Sequence, residues 1–244
     1  MAWSILRCDE VDSTNNVCKT LAAQGADNTA VIARRQTAGK GRLGRSFRSP
    51  EGGLYLSVLW RGCPAGQLLT VTPLAAVAVC RAIQQVWGAM CGIKWCNDVV
   101  LDGKKLCGIL TESSLRPDGG AEWLVVGIGL NLTSRPEDWP EELRPLAGRL
   151  YPGGPAPVSR AAPAGAIARE LLGFCPAFDC LDEYRARCFV PGHWVTVCTG
   201  TESYAAKAVA IDDAGRLIVA REGGRTEALC HGEVSIRPSP LAVK

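Results

Sequence analysis

The pattern of apolar and polar residues predicts both helices and strands in the first third of the chain. Asp12-Ser-Thr-Asn precedes apolar residues at helical spacing, which predicts an N-capped helix that ends at Gly25. The segments 29–34 and 54–60 alternate and are rich in β-branched and aromatic residues, so we expect strands there. Residues 68–87 are apolar, alanine-rich and free of glycine, and they predict a long helix.

The middle of the chain predicts a meander of strands. Residues 92–101 and 105–115 are strand candidates, and Asp102-Gly103 between them is a strong hairpin signal. A further apolar strand is expected over residues 123–132. Together these elements predict an α+β fold, with a mixed, mostly antiparallel sheet and helices packed on one face.

The second half of the chain changes character twice. Residues 135–163 are rich in Pro and Gly and predict loops with short helical pieces, whereas 164–188 predict one or two helices broken near Pro176. After Gly192 short strands alternate with Gly and Asp turns, a pattern typical of a small β-barrel. We therefore expect two domains, residues 1–189 and residues 190–244.

Composition narrows the class of protein. The net charge of +3 is too small to predict nucleic-acid or membrane binding from the overall field. The N-terminus lacks the features of a secretion signal, and no run approaches the roughly 18 uncharged apolar residues of a membrane span, so a cytoplasmic protein is expected. The 12 cysteines are scattered without C-x-x-C pairs and the 2 histidines lie outside zinc-ligand spacing, so we expect neither a disulfide scaffold nor a metal site.

Two local patterns in the first 50 residues could bind a ligand, and each has a structural alternative. Ser13-Thr14-Asn15 could read a polar group, or could simply cap the first helix. In the loop 36–47 three glycines alternate with three cations, which suits phosphate or carboxylate oxygens. The alternative for this loop is a solvated, flexible hairpin.

Two further patterns lie on the predicted strands. Lys94-Trp-Cys-Asn-Asp98 runs into 104–112 and would gather polar residues at one end of a hairpin, unless its lysines only protect a sheet edge. In 125–131, Gly127 and Gly129 expose the same strand face, as required where a flat ligand or another backbone approaches, or where a sheet packs tightly.

Taken in order, and with Gly52-Gly-Leu-Tyr-Leu-Ser57 between the second and the third, these four patterns closely resemble the bacterial biotin protein ligases, the biotin–[acetyl-CoA-carboxylase] ligases, over nearly the whole chain. The resemblance implies that the 1–189 domain is catalytic and that the C-terminal domain is an SH3-like barrel. It also implies that biotin, ATP and Mg²⁺ give biotinyl-5′-AMP, and that the biotinyl group then passes to one lysine of a biotin carboxyl carrier protein.

The resemblance implies roles for individual residues. The expected biotin-binding residues are Ser13, Thr14, Asn15, Gln36, Lys40, Gly41, Arg42, Lys105, Gly108 and Gly127. The expected ATP-binding residues are Arg42, Arg45, Phe47, Lys94, Asn97, Lys105 and Asn131. The expected catalytic residues are Arg42, Lys105 and Asp98.

The residue types suit this chemistry. A carboxylate that attacks an α-phosphate is already deprotonated, so the first step needs positioning and charge neutralisation rather than a base. The second step needs an acceptor lysine to lose a proton, and Asp98 is our candidate to attract or deprotonate it. The glycines of the loop 36–47 would let it close over the reactive adenylate and exclude water.

Some features depart from the family or leave alternatives open. Cys96 replaces the usual proline after Lys-Trp, and Lys40 replaces the first arginine of the loop, which keeps the charge but loses a two-point donor. Ser13 lies so near the start that we expect no DNA-binding domain and no repressor role. The oligomeric state, including a homodimer, is open. A lipoate-attaching or octanoyl-transferring relative and a nucleic-acid-binding module are the competing functions.

Overall fold

A computed structural model describes residues 3–151, 161–174, 180–200 and 202–237. A seven-stranded sheet in the order β1-β2-β3-β7-β6-β5-β4 forms the larger part of the fold. Its strands are β1 (Ser4–Val11), β2 (Thr29–Gln36), β3 (Gly53–Arg61), β4 (Gly92–Lys94), β5 (Asp98–Leu101), β6 (Lys104–Leu115) and β7 (Ala121–Asn131). Only β1 and β2 pair in parallel, so the mixed, mostly antiparallel sheet is confirmed.

Helix α1 (Thr14–Ala23) lies on one face of this sheet. It buries Cys18 and Ala22 against Val31, Leu59 and Val125 of the neighbouring strands. Because successive side chains of a strand point to opposite faces, the apolar side chains that flank Leu59 are left for the other face.

Helix α2 (Val71–Trp87) covers that other face, and α3 (Ala161–Phe174) and α4 (Leu181–Arg187) pack against α2. The expectation that all helices lie on one face is therefore wrong for α1, because β3 is apolar on both sides and needs cover on both. Helix α2 begins three residues later than predicted, because residues 65–70 form a 3₁₀ turn, and Pro73 lies in its first turn. The predicted break near Pro176 lies outside the described residues.

The segment Ala65–Trp87 is long and apolar enough to cross a membrane by composition alone. In the fold, 67% of its most apolar window is buried inside the protein, as in a core helix.

The C-terminal strands form a second sheet in the order β11-β10-β9-β8-β12, with every pair antiparallel. They are β8 (Trp194–Cys198), β9 (Ser203–Ile211), β10 (Leu217–Arg221), β11 (Thr226–Leu229) and β12 (Glu233–Ile236). In the described residues β11 and β12 do not pair, so the sheet is open where a closed barrel was expected. Strand β12 pairs with β8 and ends the sheet, and Glu233 at its start forms an ion pair with Arg45 of the larger part of the fold.

The two sheets share one hydrophobic core. Val195, Val197 and Val219 of the second sheet belong to the same buried cluster as α2. Trp95 also donates a hydrogen bond from its indole Nε1 to the carbonyl oxygen of Gly215, at 3.1 Å. These contacts fix the second sheet beside the loop 36–47.

Cysteine in this fold serves mainly as a small apolar residue. All cysteines in the described residues are free, and most are buried. Burial raises the pKa of Cys18 and of Cys80 to about 12, so both thiols stay protonated. The described residues also contain no cluster of three or more His, Cys, Asp or Glu side chains able to hold a metal ion.

Candidate active site

One cavity of about 520 Å³ opens where the start of α1, the loop 36–47, strands β6 and β7, and the start of β12 meet. The structure brings every sequence-predicted site residue to its wall. They are Ser13, Thr14, Asn15, Gln36, Lys40, Gly41, Arg42, Arg45, Phe47, Lys94, Asn97, Asp98, Lys105, Gly108, Gly127 and Asn131. Their individual roles toward a ligand remain predictions.

The end of the cavity at the start of helix α1 is lined by polar side chains that are shielded from solvent. Ser13, Thr14 and Asn15 are only 2–3% exposed. Ser13 occupies the N-cap position of α1, but its side chain makes no capping hydrogen bond to the described residues. Capping therefore does not account for this hydroxyl, which remains available to a ligand.

Gln36 orders this end from the neighbouring strand. Its Oε1 accepts hydrogen bonds from the Thr14 backbone nitrogen at 2.8 Å and from Thr14 Oγ1 at 3.1 Å. Its Nε2 donates to Ser49 Oγ at 2.8 Å, so the orientation of the amide is fixed.

Three polar residues without a predicted role support Asn15 from behind. Asn15 Nδ2 donates to Glu112 Oε2 at 2.8 Å, and Lys19 Nζ forms an ion pair with Glu112 Oε1 at 2.7 Å. Ser57 is fully buried, with its Oγ 2.6 Å from both Asn15 Oδ1 and Thr14 Oγ1. Burial alone would raise the pKa of Glu112, but hydrogen bonds from Lys19 and Asn15 lower it, so Glu112 is a carboxylate at neutral pH.

The strand glycines make room for side chains. A Cβ on Gly127 would lie 2.1 Å from Asn15 Oδ1, and one on Gly129 would lie 2.5 Å from the Phe47 ring. Gly108, the register partner of Gly129 on β6, is also covered by Phe47. The close approach predicted at these glycines is thus used by the side chains of Asn15 and Phe47, which both line the cavity.

The loop 36–47 lies against the second sheet. Arg42 donates to the Gly232 carbonyl oxygen at 2.9 Å and to Asn97 Oδ1 at 3.0 Å. Arg45 forms a two-point ion pair with Glu233. Leu43 takes a positive φ of 55° at the turn of the loop and is 65% exposed. The two arginines therefore hold the loop against the second sheet, while Phe47 packs on the strand glycines.

The departures from the family pattern touch this loop. Cys96 Sγ accepts a hydrogen bond from Arg42 at 2.9 Å, and burial raises the pKa of its thiol although Arg42 favours the thiolate. Lys40 Nζ donates to Asn16 Oδ1 at 2.7 Å. Cys96 thus contacts the loop through Arg42, and Lys40 ties the loop to Asn16 of helix α1.

Lys105 and Asp98 face each other across the hairpin of β5 and β6. Lys105 Nζ lies 2.7 Å from Asp98 Oδ1 and 5.9 Å from the centre of the Phe47 ring. Hydrogen bonds between the backbones of Lys105, Leu146 and Gly148 tie the start of β6 to the segment that follows β7. The backbone of Lys105 is thus fixed from two sides, and its ammonium group is paired with Asp98 at the cavity wall.

The second end of the cavity is apolar with one unpaired acceptor. Asn131 is 5% exposed and donates from Nδ2 to the Gly148 carbonyl oxygen at 3.0 Å. Its Oδ1 is buried and has no hydrogen-bond partner in the described parts of the chain. The apolar wall of this end was missed by the sequence analysis, because no site was predicted in the loops and short helical pieces of residues 135–163. It consists of Trp139, Leu143, Leu146 and Ala147.

The charges around the cavity are mainly positive. The basic residues that line it are Lys40, Arg42, Arg45, Arg48, Lys94 and Lys105. The acidic residues that line it are Asp98 and Glu233. The fold and cavity therefore define a protein with a site suited to an anionic small molecule, with polar side chains at one end and apolar side chains at the other.

Comparison with known proteins gives the family. Residues 8–131 match the Biotin/lipoate A/B protein ligase family, and residues 192–237 match the Biotin protein ligase C terminal domain. This chain belongs to the biotin/lipoate protein ligase family, and it carries the C-terminal domain of the biotin protein ligases, which confirms the resemblance seen in the sequence.

Individual relatives cover most of the chain. The Bifunctional ligase/repressor BirA of Bacillus subtilis is 33% identical, over 92% of this chain and 71% of that protein. The Biotin--[acetyl-CoA-carboxylase] ligase of Paracoccus denitrificans is 34% identical, over 88% of this chain and 93% of that protein. The structure of the Aquifex aeolicus biotin protein ligase in complex with biotin and ATP superposes with a TM-score of 0.78 at 30% identity, over 97% of this chain and 99% of that one.

Proposed function

We propose that this protein is an ATP-dependent biotin ligase that activates biotin as biotinyl-5′-AMP and transfers the biotinyl group to a lysine of a biotin carboxyl carrier protein. The observation that carries the proposal is the single cavity that joins a buried polar end, a central cluster of cations and an apolar end. Its relatives include a biotin–[acetyl-CoA-carboxylase] ligase and a ligase structure that holds biotin and ATP.

The polar end suits the ureido ring of biotin. Ser13 and Thr14, which are nearly fully buried, and the half-buried Gln36 gather hydroxyl and amide groups at this end. Such groups cost free energy when buried unless they are paired, so they favour a ligand that offers matching donors and acceptors. A dithiolane ring or an alkyl chain, as in lipoate or octanoate, offers no hydrogen-bond donor to them.

In the first step an oxygen of the biotin carboxylate attacks the α-phosphorus of ATP. The bond between that phosphorus and the α,β-bridging oxygen breaks, and pyrophosphate leaves. Negative charge spreads over the transferred group, and we assign its neutralisation to Lys105 and Arg42, two cations that line the cavity. The step consumes no proton, which agrees with a cavity lined by cations and no histidine among the described lining residues.

The apolar end suits the adenine ring. Trp139, Leu143 and Ala147 offer a flat apolar surface beside the unpaired acceptor Oδ1 of Asn131. The exocyclic amine of adenine is a donor that would satisfy this oxygen. Lys94, Arg45, Phe47 and Asn97 complete the expected ATP site, and Mg²⁺ would be held mainly by phosphate oxygens and water.

In the second step the ε-amine of the carrier lysine attacks the acyl carbon, AMP leaves, and the amine loses a proton. Asp98 is the carboxylate nearest to the Lys105 ammonium, so it lies close to the reacting group. We assign to it the attraction or deprotonation of the incoming lysine.

The organisation of the chain follows from this assignment. We place the catalytic domain at residues 1–189 and the smaller domain at residues 190–244, with the carrier protein as the macromolecular partner and the cytoplasm as the site of action. The exposed edge strand β1 leaves room for a second copy of the chain in a homodimer.

Exchange of labelled pyrophosphate into ATP tests the proposal. We expect exchange that depends on biotin, and label transfer from radioactive biotin to a carrier domain that contains its acceptor lysine. Exchange that depends on lipoate instead would assign the protein to the other branch of the family. Absence of exchange with both acids would overturn the proposal and favour the alternative, a binding module without enzymatic activity.

A further inference from the structure

Glu112, Asn15, Ser57 and Thr14 form a chain of hydrogen bonds behind the polar end of the cavity. Glu112 determines which atom donates at each step of this chain. The carboxylate of Glu112 can only accept hydrogen bonds. It therefore takes a hydrogen from Asn15 Nδ2 at 2.8 Å, and the Leu110 carbonyl oxygen takes another at 3.3 Å. The Asn15 amide is thereby oriented with its Oδ1 toward Ser57.

Ser57 carries this direction to Thr14. A hydroxyl group has one hydrogen, and Asn15 Oδ1 can only accept, so Ser57 donates to it at 2.6 Å. Ser57 Oγ is also placed to donate to Thr14 Oγ1, at 2.6 Å, but its one hydrogen is taken by Asn15 Oδ1. The hydrogen of Thr14 then occupies the contact with Ser57 or the one with Gln36 Oε1 at 3.1 Å, and Thr14 turns only lone pairs toward the cavity.

We propose that Glu112, held by Lys19, is a positioning residue that determines the specificity of the polar end for a ligand with an N–H donor. By orienting Asn15, it keeps the Ser57 hydrogen away from Thr14 Oγ1 and leaves both Thr14 lone pairs free. If the Asn15 amide were reversed, its Nδ2 would donate to Ser57. The Ser57 hydrogen would then point to Thr14 Oγ1 and occupy one of its lone pairs. This inference rests on the proposed function, in which the ligand is the ureido group of biotin.

The surroundings leave Asn15 and Glu112 little freedom to rearrange. Asn15 is 3% exposed, and its Oδ1 lies against the bare backbone of Gly127. Lys19 Nζ occupies the other oxygen of Glu112 at 2.7 Å. Glu112 does not line the cavity, so it acts through Asn15 rather than by contact with the ligand.

The test is the effect of Glu112→Gln on biotin-dependent pyrophosphate exchange. The new amide can donate to Asn15 and so permits the reversed orientation. We expect the KM for biotin to rise about tenfold while the KM for ATP is unchanged. The matched control is Lys19→Met, which removes the ion pair, keeps the hydrogen bond from Asn15 to Glu112, and should raise the KM for biotin less.

A double variant tests the direction of the chain itself. The double variant Asn15→Asp, Glu112→Gln exchanges the carboxylate and the amide between positions 15 and 112. A carboxylate at position 15 can only accept hydrogen bonds, so Ser57 again donates to an acceptor there. We expect the double variant to bind biotin better than either single variant. An unchanged KM for biotin in Glu112→Gln, an equal rise in both KM values, or a double variant no better than the single ones would overturn the inference.

Wild-type protein provides a test that does not depend on folding of the variants. Biotin methylated at either one of its two ureido nitrogens loses one N–H donor, and we expect one of these two analogues to lose most of its exchange activity. Equal activity of both analogues with biotin would overturn the inference. Absence of biotin-dependent exchange in the wild type would instead overturn the proposed function, so the two failures are distinguishable.

Discussion

Arg45 of the loop 36–47 pairs with Glu233 of β12, with its NH1 2.8 Å from Glu233 Oε1 and its NH2 on the other carboxylate oxygen. The two residues belong to different sheets and lie 188 positions apart. Next to this pair, Arg42 donates to the Gly232 carbonyl oxygen. The second sheet thus holds the loop over the cavity.

The first prediction concerns this contact between the loop and the second sheet. Glu233→Gln removes the charge that holds Arg45, so we expect trypsin to cleave the loop several-fold faster in the absence of ligand. The unfolding free energy should change little, because exposed ion pairs contribute at most about 1 kcal/mol. Limited proteolysis followed by mass spectrometry locates the cut.

Glu202→Gln is the matched control for this prediction. Glu202 pairs with Arg221 at 2.7 Å on the same sheet, away from the loop. Its replacement should leave cleavage of the loop unchanged. Equal cleavage in the wild type and in Glu233→Gln would show that the pair does not hold the loop.

The second prediction concerns retention of the adenylate. Arg42→Gly removes the contacts to Asn97 and Gly232 together with one charge near the phosphate. We expect biotinyl-5′-AMP to leave the enzyme at least tenfold faster, because about 1.4 kcal/mol lost in the bound state is a factor of ten. Release is measured by chromatography of a single-turnover reaction.

Leu43→Gly is the control that distinguishes the loss of the Arg42 charge from the loss of backbone stiffness in the loop. Like Arg42→Gly, it makes the backbone more flexible, but it removes only an exposed apolar side chain, from a residue that already has a positive φ. Retention should stay close to that of the wild type. If Leu43→Gly released the adenylate as fast as Arg42→Gly, the stiffness of the loop rather than Arg42 would be responsible.

The third prediction separates the two chemical steps. Asp98→Asn keeps the size of the side chain but removes the carboxylate that faces the Lys105 ammonium. We expect transfer to the carrier lysine to slow by about 10² or more, with adenylate formation much less affected. Single-turnover assays that start from biotin and ATP, or from preformed adenylate, measure the steps separately. Asp102→Asn on the exposed turn of the same hairpin is the control, and equal slowing of both steps by Asp98→Asn would refute the assignment.

Most of the candidate site could be predicted from the order of motifs along the chain, because its residues lie in short local patterns on predicted strands and turns. The loop 36–47 and the hairpin around Asp102 follow from glycine spacing and turn chemistry, which are local properties. The meeting of Ser13 with Gln36 was implied only by the family resemblance, since no spacing in the sequence relates α1 to the end of β2.

Other features were beyond the sequence because they arise from tertiary contacts. Strand β1 was not predicted, since it is an exposed edge strand without a clear apolar face. Glu233 and Trp139 reach the cavity only through the docking of the second sheet and the segment after β7. Ser57 and Glu112 end two of the motifs that carry the resemblance, but no role was predicted for them, and only their contacts with Asn15 show what they support.

The fourth prediction concerns the glycine that admits Asn15. Gly127→Ala would place a Cβ 2.1 Å from Asn15 Oδ1, so the side chain of Asn15 must move. We expect a loss of about 1–3 kcal/mol in unfolding free energy and a raised KM for biotin. Gly165→Ala is the control, because Gly165 lies on the exposed side of α3 with open space around it, and there alanine should stabilise the helix by about 0.5–1 kcal/mol. Urea denaturation measures both, and an unchanged stability of Gly127→Ala would contradict the close contact.

The fifth prediction is a pH dependence of stability that arises between α2 and α4. Burial alone would raise the pKa of Glu183, but hydrogen bonds from Arg81 and Arg187 outweigh it and lower the pKa below 4.5. A carboxyl group whose pKa falls on folding stabilises the protein above its unfolded pKa, and this contribution disappears as the pH falls through the folded pKa. The difference in unfolding free energy between the wild type and Glu183→Gln should therefore be constant near neutral pH and shrink below pH 4.5. Urea titrations at a series of pH values measure it, with Glu122→Gln as an exposed control, and a difference that grew on acidification would reverse the sign assigned to this carboxylate.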